Sequence, residues 1–259
     1  MLRRFIIMLL ALAPATTLAD SALPFMKHLA GDTELPPPWG IGFDFYTMDQ
    51  DYRIKTLDFQ FPGLIIPDTS VLAVTNEIQH LDIKADAWLF PFLNVYAILG
   101  QVQSDTVVDL SGVPQAGLPI PLGKLPVDTD GTVWGVGFTL AVGGERWFSS
   151  LSTTWTDTDL GGDFDSSAES LAVQPRFGFI RDAWTAWVGG MYLDTEETHS
   201  GAVVIPGLGA IPFDVVLETS DEWNTTSGVN YAFSRRASIS FEYGFGDRSH
   251  TLLNWNYRY

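Results

Sequence analysis

The sequence has no cysteine, few basic residues and no long apolar run, and each of these absences excludes a class of protein. Without cysteine, the chain can form neither disulfides nor thiolate metal sites nor a cysteine-linked lipid anchor. Lys and Arg number 14 against 31 Asp and Glu, and the formal net charge of -17 opposes binding to the phosphates of a nucleic acid. The apolar runs are far shorter than the roughly 20 residues that a membrane-spanning helix needs.

The first residues have the organisation of a secretory signal peptide. Arg3 and Arg4 form a positive head, residues 5–12 form a short apolar run, and residues 17–19 form a small-residue cleavage site. We therefore expect residues 1–19 to be removed during export.

The last eleven residues, 249–259, alternate between two faces with the period of a β-strand. One face is aromatic and aliphatic: Leu253, Trp255, Tyr257 and Tyr259. The other is mostly amide or charged: Leu252, Asn254, Asn256 and Arg258. A strand with these two faces fits between lipid and a polar lumen. It resembles the C-terminal signal of Gram-negative outer-membrane β-barrels, with Tyr in place of the commoner terminal Phe.

The resemblance implies an outer-membrane location, contact with membrane lipid and lipopolysaccharide, and insertion by periplasmic chaperones and the barrel-assembly machinery. Similar alternation elsewhere predicts an all-β fold, a closed antiparallel transmembrane β-barrel of about ten strands (eight to twelve). The predicted strands are residues 39–47, 79–90, 94–104, 132–142, 147–156, 170–180, 184–193, 224–233, 237–245 and 249–259. A soluble β-sandwich would share part of the composition, with 46% hydrophobic residues and 13% aromatics.

The predicted domain order is a signal peptide (1–19), a Pro-rich periplasmic arm (20–38) and the barrel (39–259). The arm could instead fold inward as a plug. An even number of strands places both chain ends on the periplasmic side, with short turns there and long connections outside.

Three long connections share a Pro/Gly-bracketed Leu/Ile pattern, at residues 61–67, 113–121 and 205–212. We interpret them as one supersecondary unit used three times. Their flanks are too charged to face lipid, which predicts extended extracellular hairpins rather than extra membrane strands. The apolar tips either pack together or form a landing site for an amphiphilic solute or a partner. The tip residues are Leu64, Ile65, Ile66, Leu118, Ile120, Leu208 and Ile211.

Acidic residues crowd into the predicted outer loops, where they would concentrate cations and repel anions. Plain solubility, or divalent-ion bridges to lipopolysaccharide phosphates, explains them equally well. The densest run resembles a calcium loop because oxygen ligands alternate around paired glycines, and its candidate ligands are Asp157, Asp159, Asp163 and Asp165. It departs from the helical calcium loop because Ala168 replaces the closing Glu. Structural calcium is the one cofactor that the sequence suggests.

Period-two alternation also points a polar set into the lumen. The predicted lumen-lining residues are Asp44, His80, Asp82, Lys84, Asp86, Gln174, Arg176, Glu242, His250, Asn254, Asn256 and Arg258. Charges in a narrow lumen must pair or be hydrated. Paired charges would plug the barrel, whereas hydrated ones would line a pore that prefers cations, because the acids outnumber Lys and Arg.

Three functions follow from these patterns. The first is a narrow passive channel or binding port for small cationic or amphiphilic solutes, and the second is a surface interaction protein that uses its loop tips. The third is a barrel-embedded hydrolase of lipid or peptide. Its base and orienter would be one of three pairs: His80 with Asp82 or Asp86, His250 with Ser249 or Glu242, or His199 with Glu196 or Glu197. No family motif matches these pairs, and we expect a protein that is not an enzyme.

Overall fold

The computed structural model describes residues 23–31, 34–59, 69–112, 123–162, 164–205 and 209–259. Within these residues the chain forms eleven strands and two short 3-10 helices, Lys27–Ala30 and Thr69–Val71. The strands are β1 (Trp39–Phe59), β2 (Ala73–Phe90), β3 (Leu93–Asp109), β4 (Lys124–Gly143), β5 (Trp147–Gly161), β6 (Asp165–Arg181), β7 (Trp184–Ile205), β8 (Gly209–Thr219), β9 (Trp223–Ala232), β10 (Ala237–Phe245) and β11 (Ser249–Arg258). None of the described helices is long and apolar enough to cross a membrane.

Ten of the strands close into a ring. Each strand from β1 to β7 pairs antiparallel with the next, β7 continues through β9, β10 and β11, and β11 pairs with β1 from Gly40 opposite Arg258 to Asp49 opposite Ser249. This ring confirms the predicted closed antiparallel barrel and its strand number. Closure leaves no sheet edge unpaired, which a strand in lipid requires.

The eleventh strand, β8, lies outside this ring and belongs to one of the predicted extracellular hairpins and not to the predicted membrane strands. It forms a hairpin with the distal half of β7, from Glu196 opposite Glu218 to Ile205 opposite Gly209, and its other edge pairs with the distal half of β1. The barrel wall therefore has two levels, a ten-stranded ring and, beyond it, an eight-stranded ring of β1 to β8. The predicted extended hairpins are the source of this second level.

The outer face of the ten-stranded ring carries two aromatic levels. Trp184 stacks against Tyr231 with ring centroids 4.7 Å apart, and eight residues further along β7, Tyr192 contacts Trp223 at 5.5 Å. Eight residues of a tilted strand span about 20 Å along the barrel axis. Large apolar side chains stay exposed between the levels, among them Phe43, Leu99, Val136, Val188, Phe241 and Leu253. An exposed apolar band between aromatic girdles is the surface that a β-barrel turns to lipid.

The eight-stranded ring is filled by buried side chains, among which an apolar cluster lies beside polar residues such as Asn76 and Thr106. Tyr52, Val74 and Leu217 are each at most 3% exposed, and Val108 and Val215 pack against them. A ring of about eight strands is only wide enough for its own side chains. Ile211, predicted at an apolar loop tip that either packs or forms a landing site, is a buried residue of β8. The other predicted tip residues, Leu64, Ile65, Ile66, Leu118, Ile120 and Leu208, lie outside the described residues.

A buried arginine closes the seam where β9, β10 and β11 end beneath β8. Arg248 is 2% exposed. Its guanidinium donates to the carbonyl oxygens of Asp221 (3.0 Å), Met191 (3.3 Å) and Glu222 (3.5 Å), and to Oδ1 of Asn224 (3.3 Å). These bonds tie the connection from β8 to β9 onto the turn between β10 and β11.

Candidate functional site

The structure places all twelve predicted lumen residues on the inner faces of their strands. Adjacent residues of a strand point to opposite faces, and the side chains that precede and follow them face outward. The residues come from β1, β2, β6, β10 and β11, and most of their charges meet in the membrane-embedded half of the barrel. The lower lumen is therefore a paired network.

Glu242 on β10 is the centre of this network. Its carboxylate is 1% exposed and accepts two bonds from Arg176, Nε to Oε2 at 2.8 Å and NH2 to Oε1 at 2.9 Å. The indole of Trp187 donates to Oε2 at 2.7 Å. Nε2 of His250 lies 3.6 Å from Oε1. A two-pronged arginine bond is the strongest contact available to a buried carboxylate.

A second ion pair lies on the inner face of the wall nearer the chain termini. Arg258 on β11 binds Asp86 on β2, and Nδ2 of Asn94 donates to the same carboxylate at 2.6 Å. Gly40 on β1 makes room for this pair, because a Cβ at that position would overlap the Asp86 carboxylate. The glycine is therefore required by close approach and not by backbone conformation.

Asp44 and Asp82 lie opposite each other on β1 and β2, but they have different partners. Asp44 accepts a bond from Asn254 and lies 3.6 Å from Nζ of Lys84. The nearest ionisable partner of Asp82 is Nδ1 of His80, at 3.9 Å, and Oδ1 of Asp82 has no hydrogen-bond partner. Lys84 thus neutralises Asp44, while Asp82 contacts only a histidine.

Between this network and the distal apolar core, the barrel encloses a chamber of about 290 Å³. One wall is apolar and includes Met48, Ile78, Ile98, Val102, Met191 and Leu193. The facing wall carries hydroxyls, including Ser152, Thr154, Thr156, Thr158, Ser170 and Thr195. The charged lower end includes Asp44, Asp82, Lys84 and Arg176, and the upper end includes Tyr52 and Glu197. A chamber with one apolar and one hydrogen-bonding wall suits an amphiphilic molecule.

The upper end of the chamber adjoins a cluster of three buried polar side chains on β6 and β7. Oγ of Ser166 lies 2.7 Å from Nδ1 of His199, and Nε2 of His199 lies 2.9 Å from Oε1 of Glu197. All three are at most 4% exposed. A hydroxyl, an imidazole and a carboxylate in this sequence are the components of a serine nucleophile with its base and orienter. Ser166 does not line the chamber.

Of the predicted histidine–acid pairs, the structure places His199 2.9 Å from Glu197, His250 3.6 Å from Glu242 and His80 3.9 Å from Asp82. The other acids and the serine that were considered have different partners. Asp86 is bound by Arg258, Ser249 donates to Oδ2 of Asp49 at 3.2 Å, and Glu196 binds Lys55. Ser249 and Glu196 face outward, because adjacent strand residues point to opposite faces.

The predicted lumen set does not include Tyr52, Ser166, Glu197 or Arg248, which the structure buries. The membrane strands were predicted to end at residues 47 and 193 and to be prolonged above the membrane by their charged flanks. β1 and β7 do continue, to Phe59 and Ile205, with a register shift in β1 between Ile54 and Thr56. Extending the period-two pattern would have placed Tyr52 and Glu197 inside. Nothing in the sequence around Arg248 signals its burial, because it follows a Gly-Asp turn.

Most of the acids assigned to outer loops lie on the outward faces of the prolonged strands. Two cross-strand rows run around the barrel, one through Asp49, Glu77, Asp105 and Asp128, the other through Asp157, Glu169, Glu196 and Glu218. Like charges directly opposite one another repel. Lys55 bridges Glu196 and Glu218, and the hydrogen bond to Glu196 raises the pKa of Lys55. These acids therefore form an outer collar and do not line the lumen.

Two of the proposed calcium ligands, Asp157 and Asp159, share the outer face of β5, and Asp165 begins β6. Asp163 lies outside the described residues. Across the residues that the structure does describe, no three His, Asp or Glu side chains converge closely enough to hold a metal ion. The calcium loop stays a prediction.

The closed ring, the apolar band between aromatic girdles and the polar interior together define a transmembrane β-barrel of the outer-membrane class. No protein-family model matches the chain, and no curated protein matches it significantly.

Solved structures that resemble it are barrels of this class. The outer membrane protease OmpT from Escherichia coli is similar with a TM-score of 0.47 and 7% identity, over 88% of this chain and 99% of that one. OprG from Pseudomonas aeruginosa gives 0.46 and 12%, over 87% and 98%. The transport unit of the autotransporter AIDA-I from Escherichia coli gives 0.41 and 9%, over 91% and 94%. At these identities the likeness assigns no family and no activity.

Proposed function

We propose that the protein is a binding port of the Gram-negative outer membrane that admits small amphiphilic solutes to the chamber inside its barrel. The observation that carries this proposal is the chamber itself, with an apolar wall, a hydroxyl wall and a charged lower end. Its volume corresponds to on the order of ten small non-hydrogen groups. Solutes of that size, and not folded polymers, fit it.

The ends of the chamber favour a selective port over a wide pore. Below it, Arg176 on β6 binds Glu242 on β10, with β7 and β9 between these strands, and Arg258 binds Asp86 over Gly40, so both contacts narrow the lumen. Above it, the core around Tyr52, Val74 and Leu217 fills the eight-stranded ring. Passage therefore requires these contacts to open, which limits conductance and selects by chemistry.

The location and partners belong to the same proposal. Residues 1–19 would direct export, both chain ends would lie in the periplasm, and periplasmic chaperones and the barrel-assembly machinery would insert the barrel. Its exposed apolar band would contact membrane lipid, and the acidic collar would lie at the level of lipopolysaccharide phosphates.

Filling the chamber tests the proposal. Ala172 lines the chamber on β6, whereas Leu171 beside it faces lipid. We expect Ala172→Phe to weaken the binding of a short alkanol such as 1-hexanol by about tenfold, equivalent to about 1.4 kcal/mol, because the added ring occupies the chamber. Calorimetry on the detergent-folded protein measures this, with Leu171→Phe as the matched control.

Planar bilayers supply the transport readout for the same variants. We expect small, cation-preferring conductance that Ala172→Phe reduces and Leu171→Phe does not. Equal alkanol affinity in both variants, or no alkanol binding and no conductance in protein that shows heat-modifiable gel migration, would contradict the proposal.

A second candidate function, hydrolysis, is favoured by the contacts among Ser166, His199 and Glu197. If Ser166 is an activated nucleophile, a fluorophosphonate probe will label the folded barrel, and Ser166→Ala will abolish the label. Ser167, the next residue, faces outward and is exposed, so Ser167→Ala is the control and should label normally. Absence of label on the folded wild-type protein, or equal label on both variants, removes this candidate.

A further inference from the structure

The charges inside the barrel do not balance. Five described carboxylates face inward: Asp44, Asp82, Asp86, Glu197 and Glu242. Three of them have a lysine or arginine within ion-pair distance, in the pairs Asp44–Lys84, Asp86–Arg258 and Glu242–Arg176. Within the described chain, the ion-pair contacts of Asp82 and Glu197 are to histidines only. The chamber therefore has two carboxylates without a Lys or Arg in direct contact, of which Asp82 also shares the field of Lys84 with Asp44.

These carboxylates also have unused acceptor atoms. Oδ1 of Asp82 and Oε1 of Glu197 have no assigned hydrogen bond in the described structure. Nε2 of His199 lies 2.9 Å from the Glu197 oxygen, and the Tyr52 hydroxyl lies beside the same carboxylate. Glu197 and Tyr52 are 2% and 3% exposed, and all three line the chamber. An uncompensated buried carboxylate costs several kcal/mol, and unsatisfied buried groups in a folded protein call for a specific explanation.

The unused acceptors lie at the two ends of the chamber. Asp82 lies opposite Asp44 on β1, and Tyr52 lies eight residues further along the same strand. Eight residues of a tilted strand span about 20 Å along the barrel axis. Glu197 on β7 interacts with Tyr52 at this upper end. The chamber is thus long and narrow, with acceptors for a cation at each end.

The walls between the ends fit a flexible chain. Met48, Met191 and Leu193 form one apolar cluster along the chamber, and hydroxyls of β5 face it. Methylene groups can pack on the methionines, while threonine hydroxyls can accept hydrogen bonds from secondary amines. No convergent metal ligands occur in the part of the chain described here, which disfavours a single metal ion as the missing cation.

We propose that Asp82 at one end, and Glu197 with Tyr52 at the other, recognise the ammonium groups of a linear aliphatic polyamine that lies along the chamber. The inference rests on the proposed function, because it requires that solutes enter the chamber. Two ammonium groups would neutralise both carboxylates and satisfy their unused oxygens, and the methylene segments between them would cover the apolar wall.

Calorimetry with spermidine and with 1,8-octanediol, a neutral chain of equal length, tests the proposal on the folded barrel at fixed ionic strength. We expect spermidine to bind at least about tenfold more tightly than the diol. Glu197→Gln and Asp82→Asn should each weaken spermidine binding by about tenfold and leave diol binding unchanged. Glu196→Gln removes the same charge one residue away, on the outer face, and should change neither.

The outcomes separate this inference from the proposed function. If the diol binds as tightly as spermidine, or if Glu197→Gln and Glu196→Gln have equal effects, polyamine recognition is overturned while the chamber still binds solutes. If neither ligand binds and Ala172→Phe changes nothing, the proposed function fails as well. If Glu197→Gln does not fold, two measurements still test polyamine recognition. One is the comparison of spermidine with the diol on the unmodified protein, and the other is spermidine binding by the Asp82→Asn variant.

Discussion

Replacing Glu242 with alanine is expected to lower the free energy of unfolding by about 3 to 5 kcal/mol, the usual cost of removing one member of a buried ion pair. The carboxylate is 1% exposed and accepts bonds from Arg176 and Trp187. Its loss leaves the guanidinium of Arg176 charged and without its carboxylate partner. Urea unfolding, followed by tryptophan fluorescence and by heat-modifiable gel migration, measures the change.

A double variant separates the cost of an unpaired buried charge from the net contribution of the ion pair to stability. The double variant Arg176→Met with Glu242→Leu removes both charges and should lose less stability than Glu242→Ala, because an apolar pair of similar volume avoids an unpaired charge. Glu145→Ala, in the exposed turn between β4 and β5, should be neutral. A loss below about 1 kcal/mol for Glu242→Ala, typical of an exposed ion pair, would contradict a structural role for the network.

The strands of the ten-stranded ring could be predicted from sequence because lipid and lumen impose opposite chemistry on adjacent residues. For example, Trp255 faces lipid, whereas Asn256, the next residue, faces the polar lumen. β8 lacks that contrast, since it lies above the membrane and carries valines on both faces at Val215 and Val216. The distal ends of β1 and β7 could be predicted only as charged extensions without exact bounds, because outward charges there face water.

The positions of the site residues could be predicted, but not their partners. Periodicity puts Arg176 and Glu242 inside, yet they are 66 residues apart and come from strands that do not pair. Which inward charges meet depends on how the closed barrel brings distant strands across the lumen. The chamber could not be predicted from the sequence for a related reason. Its walls are Thr, Met and Leu side chains that are common in any barrel, and only their arrangement in the folded structure leaves a cavity between them.

The two levels of the wall also determine where the barrel can open. Within either ring every strand has two neighbours, so opening it would break a continuous ladder of backbone bonds. At the junction, three strands end beneath β8. The residues between β8 and β9 make two backbone bonds, from Ser220 to Asp51 and from Leu193 to Glu222, and are held in addition by side-chain bonds. Arg248 supplies four of them.

We therefore expect Arg248→Leu to destabilise the barrel by about 3 kcal/mol and to expose the connection between β8 and β9 to protease. An unsatisfied buried acceptor costs about 1 to 3 kcal/mol, and the carbonyl oxygens of Met191 and Asp221 and Oδ1 of Asn224 all lose a donor, whereas the carbonyl of Glu222 keeps its bond from Leu193. Arg248→Lys should recover only part of the loss, because a single ammonium cannot reproduce the planar fork of the guanidinium.

Urea unfolding and limited proteolysis with an enzyme that cuts after glutamate measure the two effects, the latter by cleavage at Glu222. Arg236→Ala, in the exposed turn between β9 and β10, removes an equal charge at the opposite end of the same hairpin strands and should change neither readout. Equal protease resistance in Arg248→Leu and Arg236→Ala would mean that backbone pairing of β8 with β1 and β7 holds the junction without the arginine. Selective cleavage at Glu222 in otherwise folded barrel would instead locate the weakest point of the wall beneath β8.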